Sequence, residues 1–304
     1  MNMPDVDVIK YMEWPGKAIN ERPTYWQIAK QISRSPNFVR KMVEEMIENN
    51  SLRGMSVFIN PTMIGLRAYF LVVTCDDSDP LMAEEFRNEV GGVYALHVSG
   101  LHREIVNIEM YKENDDDLRR AMQKIEKLLP HCNIMYSTFQ KYDNVVVDEK
   151  TLEIIGYLIS HPMDSVNKIS LETGIPRSVV KRKIERIKEQ DLINIRPNFN
   201  AYKYRKLNLA IIGMAVDDSL VKVVRMKSID ILGDYIIQER KDINGMLLFL
   251  TNFSHLDDAK PSIEKLKKLE GVYSVQFVFP FESNFYVPEI VKERISKITG
   301  KPFY

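Results

Sequence analysis

The stretch Ile169-Ser-Leu-Glu-Thr-Gly174-Ile-Pro176-Arg-Ser-Val-Val180-Lys-Arg-Lys-Ile184-Glu-Arg-Ile187-Lys-Glu-Gln-Asp-Leu-Ile193 decides the fold. Gly174 predicts a corner between two helices, because a residue at ease with positive φ makes so tight a turn. Pro176 opens the next helix, where its missing N–H does no harm. Val180, Ile184 and Ile187 recur at helical spacing and form one buried stripe. The opposite face carries Arg177, Lys181, Arg182, Lys183 and Arg186. Upstream, Leu152, Ile155, Leu158 and Ile159 mark a helix ended by His161-Pro162, and Ser165 caps the helix that holds Ile169 and Leu171. These segments make a helix-turn-helix with a basic third helix. Ile193 to Phe199 and Tyr202-Lys203-Tyr204 read as the two strands of a wing.

Charge is segregated here. The 304-residue chain holds 42 Lys plus Arg and 42 Asp plus Glu, so any surface for a polyanion must come from local clustering. From Ser165 to Lys206 eleven basic residues stand against four acidic ones, a local excess of +7. A basic helix face alone is commonly a solvated face. The Gly corner, the Pro start and the wing in register argue for more.

Shifted by 141 residues, the pattern repeats. Ile28-Ala29 falls on Ile169-Ser170, Val39 on Val180, Val43 on Ile184, Met46 on Ile187 and Leu52 on Ile193. In the first copy Ser33 stands where Gly174 stands, and Ser35-Pro36 caps and starts the third helix, from which Asn37, Arg40 and Lys41 point outward. Its excess between Thr24 and Met55 is only +2, five basic residues against three acidic. Beyond each three-helix unit the apolar runs and amphipathic stretches read β-α-β-β-α-β, a ferredoxin-like arrangement. The predicted fold is α+β, with winged helix-turn-helix units at 1–62 and 143–204, βαββαβ domains at 63–142 and 205–284, and a tail at 285–304. A sheet with helices on one face leaves the other face to be covered. Tyr69, Leu71 and Val73 are expected on that bare face, packed sheet to sheet within or between chains.

Other classes find little support. The five histidines do not pair as HxxxH or HExxH, and no phosphate loop is present, so no cofactor or metal is expected. Asp76-Asp77-Asp79 and Asp115-Asp116-Asp117 read as turn and capping residues. Two cysteines, Cys75 and Cys132, build no disulfide framework and fit a reducing, cytoplasmic setting. No apolar run is long enough for a membrane span, and the first residues show no basic leader.

The quoted stretch resembles the helix-turn-helix of the Lrp/AsnC (feast/famine) transcription regulators. Ile59-Asn60-Pro61 and Gly65-Leu66 are similar to the strand and loop that lead into that family's effector domain. The resemblance covers nearly the whole chain twice over, as a tandem form. It implies a sequence-specific regulator that binds double-stranded DNA, forms a homodimer and takes a small effector such as an amino acid or related metabolite. The DNA-contacting residues would be Arg177, Ser178, Lys181, Arg182, Lys183 and Arg186, Arg196 in the wing, and Asn37, Arg40 and Lys41 in the first copy. Gly100, His102 and Arg103 fall where the family's effector loop lies, with Arg103 in the place of an Asp.

The chain is thus expected to be a binding protein and not an enzyme. The enzyme alternative is also a resemblance. Siroheme decarboxylases share this fold, occur as paired or fused copies, and use His and Arg near the tetrapyrrole. Tyr94, His97, His102 and Arg103 lie in the matching region.

Overall fold

The computed structural model describes residues 25–75, 83–99, 105–140, 142–162, 164–199, 209–243, 246–253 and 255–304, and its architecture is α+β. The chain runs α1 (Tyr25–Gln31), α2 (Pro36–Glu48), β1 (Leu52–Ile59), a 3-10 turn (Pro61–Ile64), β2 (Arg67–Cys75), α3 (Ala83–Val90), β3 (Val93–Ser99), β4 (Ile105–Lys112), α4 (Asp115–Leu128) and β5 (Cys132–Gln140). It continues with α5 (Glu149–Ser160), α6 (Val166–Thr173), α7 (Arg177–Glu189), β6 (Ile193–Phe199), β7 (Leu209–Val216), α8 (Val221–Leu232), β8 (Ile236–Ile243), β9 (Met246–Asn252), α9 (Leu256–Lys267), β10 (Val272–Val278), β11 (Pro280–Phe285) and α10 (Glu289–Thr299).

The helix boundaries follow from short-range chemistry. Ser35 accepts from the Phe38 N–H at 3.2 Å and starts α2, Asp148 accepts from Thr151 and starts α5, and Ser165 caps α6. Gly174 ends α6 at φ 71°, and Ser33 adopts φ 53° at the matching corner of the first copy. Asn50 (φ 58°) and Asp191 (φ 48°), also 141 residues apart, turn the chain after α2 and α7. At these two pairs of positions the 141-residue shift relates residues of the same left-handed backbone. Pro176 stands at the N-cap of α7, one place earlier than expected, and makes no side-chain capping bond.

The wing is built differently from the expectation. β6 pairs antiparallel with β1, placing Val57 opposite Ile195 and Ile59 opposite Ile193. The first predicted wing strand, Ile193 to Phe199, is thus a strand, paired with β1 from the first half of the chain; the second, Tyr202-Lys203-Tyr204, lies outside the described residues. Each strand finds in the other copy the ladder partner that its backbone groups need.

Two larger antiparallel sheets follow, in the orders β11-β3-β4-β2-β5 and β10-β7-β9-β8. Leaving β11 aside, each reads last, first, third, second in chain order. Tyr69, Leu71 and Val73 do not lie on the bare face. They pack with Phe86, Val90, Ala121 and Ile125 of the covering helices. The alternate residues Phe70 and Val72 meet Met246 and Leu248 of β9, so the two sheets face one another within a single chain. A one-residue error in strand parity moves every side chain to the opposite face, and β2 is apolar on both faces.

The copies also exchange supports. The core of α5, α6 and α7 is continuous with Met63, Leu66, Ala68, Tyr94 and Tyr111 of the first half. The core of α1 and α2 packs on Leu209 and Leu250 of the second. The C-terminal segment from Pro280 closes the assembly. β11 joins the edge of β3, and α10 lies on α5 so closely that a Cβ at Gly156 would stand 3.1 Å from Ile295 Cγ2. Lys301 and the Tyr304 hydroxyl both bond Glu153, and the Ser160 hydroxyl donates to the Tyr304 carbonyl oxygen at 2.7 Å. Cys75 and Cys132 are register partners on β2 and β5, and their sulfurs are bonded to one another, which amends the expectation of two free thiols. No described helix is long and apolar enough to cross a membrane.

Candidate functional site

The basic face of α7 is partly as expected. Arg177, Ser178, Lys181 and Arg182 are exposed. Lys183 and Arg186 turn toward Asp148: Lys183 donates to its carboxylate and keeps only 13% of its side chain exposed, while Arg186 stands 3.9 Å away. Partial burial pushes the Asp148 carboxyl up, but hydrogen bonds from Lys183 and Thr151 outweigh it and hold the group below the ordinary Asp value. On α2, Asn37, Arg40 and Lys41 are exposed, and Arg40 and Lys41 lie 3.7 and 3.9 Å from Glu44 and Glu45 one turn on. Such exposed pairs are weak and leave the cations available. Arg196 lies on β6 opposite Ser56. Gly100, His102 and Arg103, like Asp76, Asp77 and Asp79, lie outside the described residues. Asp115, Asp116 and Asp117 form the first turn of α4, whose cap is Asn114.

A second constellation lies between the sheets. Alternation along β3 and β4 sends Leu96, Val106, Ile108 and Met110 toward the helices. It sends His97 and Glu109 the other way. The His97 Nε2 is 3.2 Å from Glu109 Oε1, and the two residues are only 7% and 5% exposed. A buried carboxylate beside an imidazole can hold one tautomer or share a proton. The Phe285 ring lies edge-on to the imidazole, centroids 5.4 Å apart. Tyr94 stacks on Tyr111 at 4.1 Å, and Phe58 meets Tyr94 at 6.0 Å and Phe285 at 5.2 Å. The Tyr111 hydroxyl donates to the Ile59 carbonyl oxygen at 3.1 Å, and burial pushes its phenol well above the ordinary value. Beside Phe285, Asn284 accepts from Arg53 of β1. Phe285 thus covers the pair, and Phe58 and Tyr94 continue the ring contacts away from it.

Sequence reasoning singled out Tyr94 and His97 here and missed Glu109, Tyr111, Phe58 and Phe285. Glu109 had a signal, since it is the one carboxylate in the apolar run Ile105 to Tyr111. Phe285 had none, because only the course of the tail brings it to His97. In the register of the second sheet Arg240 and Leu250 stand where His97 and Glu109 stand in the first, so the pair has no counterpart there.

No family model matches the sequence, and comparison with curated proteins finds no match. Among solved structures the chain is similar to the siroheme decarboxylase NirDL, with TM-score 0.50 and 11% identity over 97% of this chain and 99% of that one. The same enzyme in co-complex with an iron-uroporphyrin III analogue matches at TM-score 0.50 and 11% identity, over 96% of this chain and 95% of that one. The Mycobacterium tuberculosis leucine response regulatory protein LrpA overlaps 48% of this chain and 99% of its own at TM-score 0.31 and 19% identity. The expectation of a chain that is not an enzyme is corrected here. The solved structures that this chain matches over nearly its whole length are those of an enzyme, so the expectation of no enzyme is not supported.

Proposed function

We propose that the chain is a siroheme-decarboxylase-type enzyme, built as two fused copies of a winged helix-turn-helix and a ferredoxin-like unit, with a carboxylate-bearing tetrapyrrole as its substrate. The observation that carries this reading is the buried His97–Glu109 pair, with the Phe285 ring edge-on to the imidazole. The end-to-end likeness to NirDL supports it. Decarboxylation of a ring acetate breaks the bond to the carboxyl carbon, releases CO2 and leaves the methylene carbon to take one proton. An imidazole held by a carboxylate suits that delivery. An aromatic ring beside the imidazole, as Phe285 provides, suits a planar macrocycle, and the exposed Arg53, bonded to Asn284 next to Phe285, suits one of its carboxylates.

Titration of the purified chain with siroheme, followed by visible absorbance, tests this reading. Saturable spectral change is expected with wild type, and loss of decarboxylation with His97→Ala under an unchanged circular dichroism spectrum. A wild-type chain that leaves the siroheme spectrum unaltered contradicts it.

A specific observation favours a second reading, a duplex-binding regulator. Arg177, Ser178, Lys181 and Arg182 remain exposed on one face of α7, as a groove-reading helix requires. Lys181→Glu with Arg182→Glu is expected to abolish retardation of DNA fragments while leaving siroheme decarboxylation intact. Equal retardation by variant and wild type ends this reading without touching the first.

A further inference from the structure

The two sheets present four edges among the described residues: β5, β8, β10 and β11. Natural proteins blunt such edges with charge or proline. β8 carries Glu239, Arg240, Lys241 and Asp242, and β11 carries Pro280 and Glu282. β10, Val272-Tyr-Ser-Val-Gln-Phe-Val278, has neither charge nor proline. Its inner side is laddered to β7, with Val275 opposite Met214. Tyr273 is 72% exposed, and Ser274 and Gln276 are exposed as well.

The strand is also self-complementary. Turned antiparallel about Val275, it sets Val272 against Val278, Tyr273 against Phe277 and Ser274 against Gln276. These are apolar, aromatic and polar pairs of the kind that stabilise sheets. β5, Cys132-Asn-Ile-Met-Tyr-Ser-Thr-Phe-Gln140, is uncharged but lacks this symmetry. The helix packed beside β10 agrees. Ala259, Ile263 and Leu266 of α9 share a core with Val272, Val275 and Phe277. The first turn of α9 holds Asp257 and Asp258, and its C-terminal end holds Lys265, Lys267 and Lys268. A two-fold axis at Val275 brings two α9 helices side by side and antiparallel, acidic end to basic end.

We propose that β10 is the docking edge for a second copy of this chain, joining two four-stranded sheets into one of eight strands. This differs from the face-to-face association that the fold has already used within the chain. Light scattering on the full chain tests it. Wild type is expected at twice the 35.4 kDa chain mass. Ser274→Lys with Gln276→Lys sets lysine opposite lysine across the axis and is expected at the single mass, with a native circular dichroism spectrum. Ser274→Lys with Gln276→Glu sets lysine opposite glutamate and is expected to restore twice the mass. Wild type at the single mass, a double-lysine variant still at twice the mass, or a lysine–glutamate variant at the single mass each overturns the proposal.

Discussion

Ser33 and Gly174 occupy the same corner of two helix pairs and hold the same left-handed backbone, φ 53° and 71°. An L side chain there carries a steric penalty of roughly 1–2 kcal/mol, part of which glycine returns as lost chain entropy. Ser33→Gly is therefore expected to raise the unfolding free energy by about 0.5–1 kcal/mol in urea melts, whereas a lower value contradicts the strained corner. Asp148 combines a helix cap with an anchor for two cations of α7. Asp148→Asn keeps a capping oxygen and removes the charge. If α7 meets duplex DNA, this variant frees Lys183 and Arg186 for phosphate, and duplex retention becomes more salt-dependent. An unchanged salt slope counts against that role. Lys112 donates to the Val90 and Gly91 carbonyl oxygens at 3.0 and 2.9 Å, and burial lowers its amine to about 8 from 10.5. The unfolded chain then binds more protons than the folded one between those values. Stability from this group is expected to rise with pH from about 8 toward 10.5, and Lys112→Met should flatten that rise in urea melts taken across the window.

At the scale of elements, the parts legible in sequence are those whose partners lie close along the chain. The corner at Gly174, the stripe Val180, Ile184, Ile187 and the caps Ser35, Asp148 and Ser165 are all settled within one or two helical turns. The extent of β6 was legible, but its pairing with β1 was not, because that partner lies about 140 residues away in sequence. The parity of β2 was misjudged because a strand buried on both faces shows no alternation. The sheet-to-sheet contact itself can be weighed. Phe70 is buried against Met246 and Leu248, and Phe70→Ala is expected to lower stability by about 3–5 kcal/mol. A loss well under 1 kcal/mol would mean that the sheets do not meet there. The tail makes a similar test. Gly156→Leu places a side chain where Ile295 already sits, and increased proteolysis after Phe285 is expected as α10 leaves α5.

At the scale of the molecule, the first and second halves of the chain pack as one body. The ribbon β1–β6, the facing sheets, the exchanged helical cores and the tail each join one half to the other. That arrangement covers one buried acid–base pair with a part from the other half: His97 and Glu109 come from the first sheet, Phe285 from the tail. Little of this site was legible in sequence, since strand alternation places His97 on a face but says nothing of what covers it. The basic helix drew attention because charge is visible in a sequence and enclosure is not. The most direct measurement is anaerobic incubation of the purified chain with siroheme, with the product weighed by mass spectrometry. A product lighter by whole units of CO2, formed by wild type and by Glu109→Gln more slowly and absent with His97→Ala, is the predicted result; siroheme recovered at its full mass from the wild-type reaction contradicts the account.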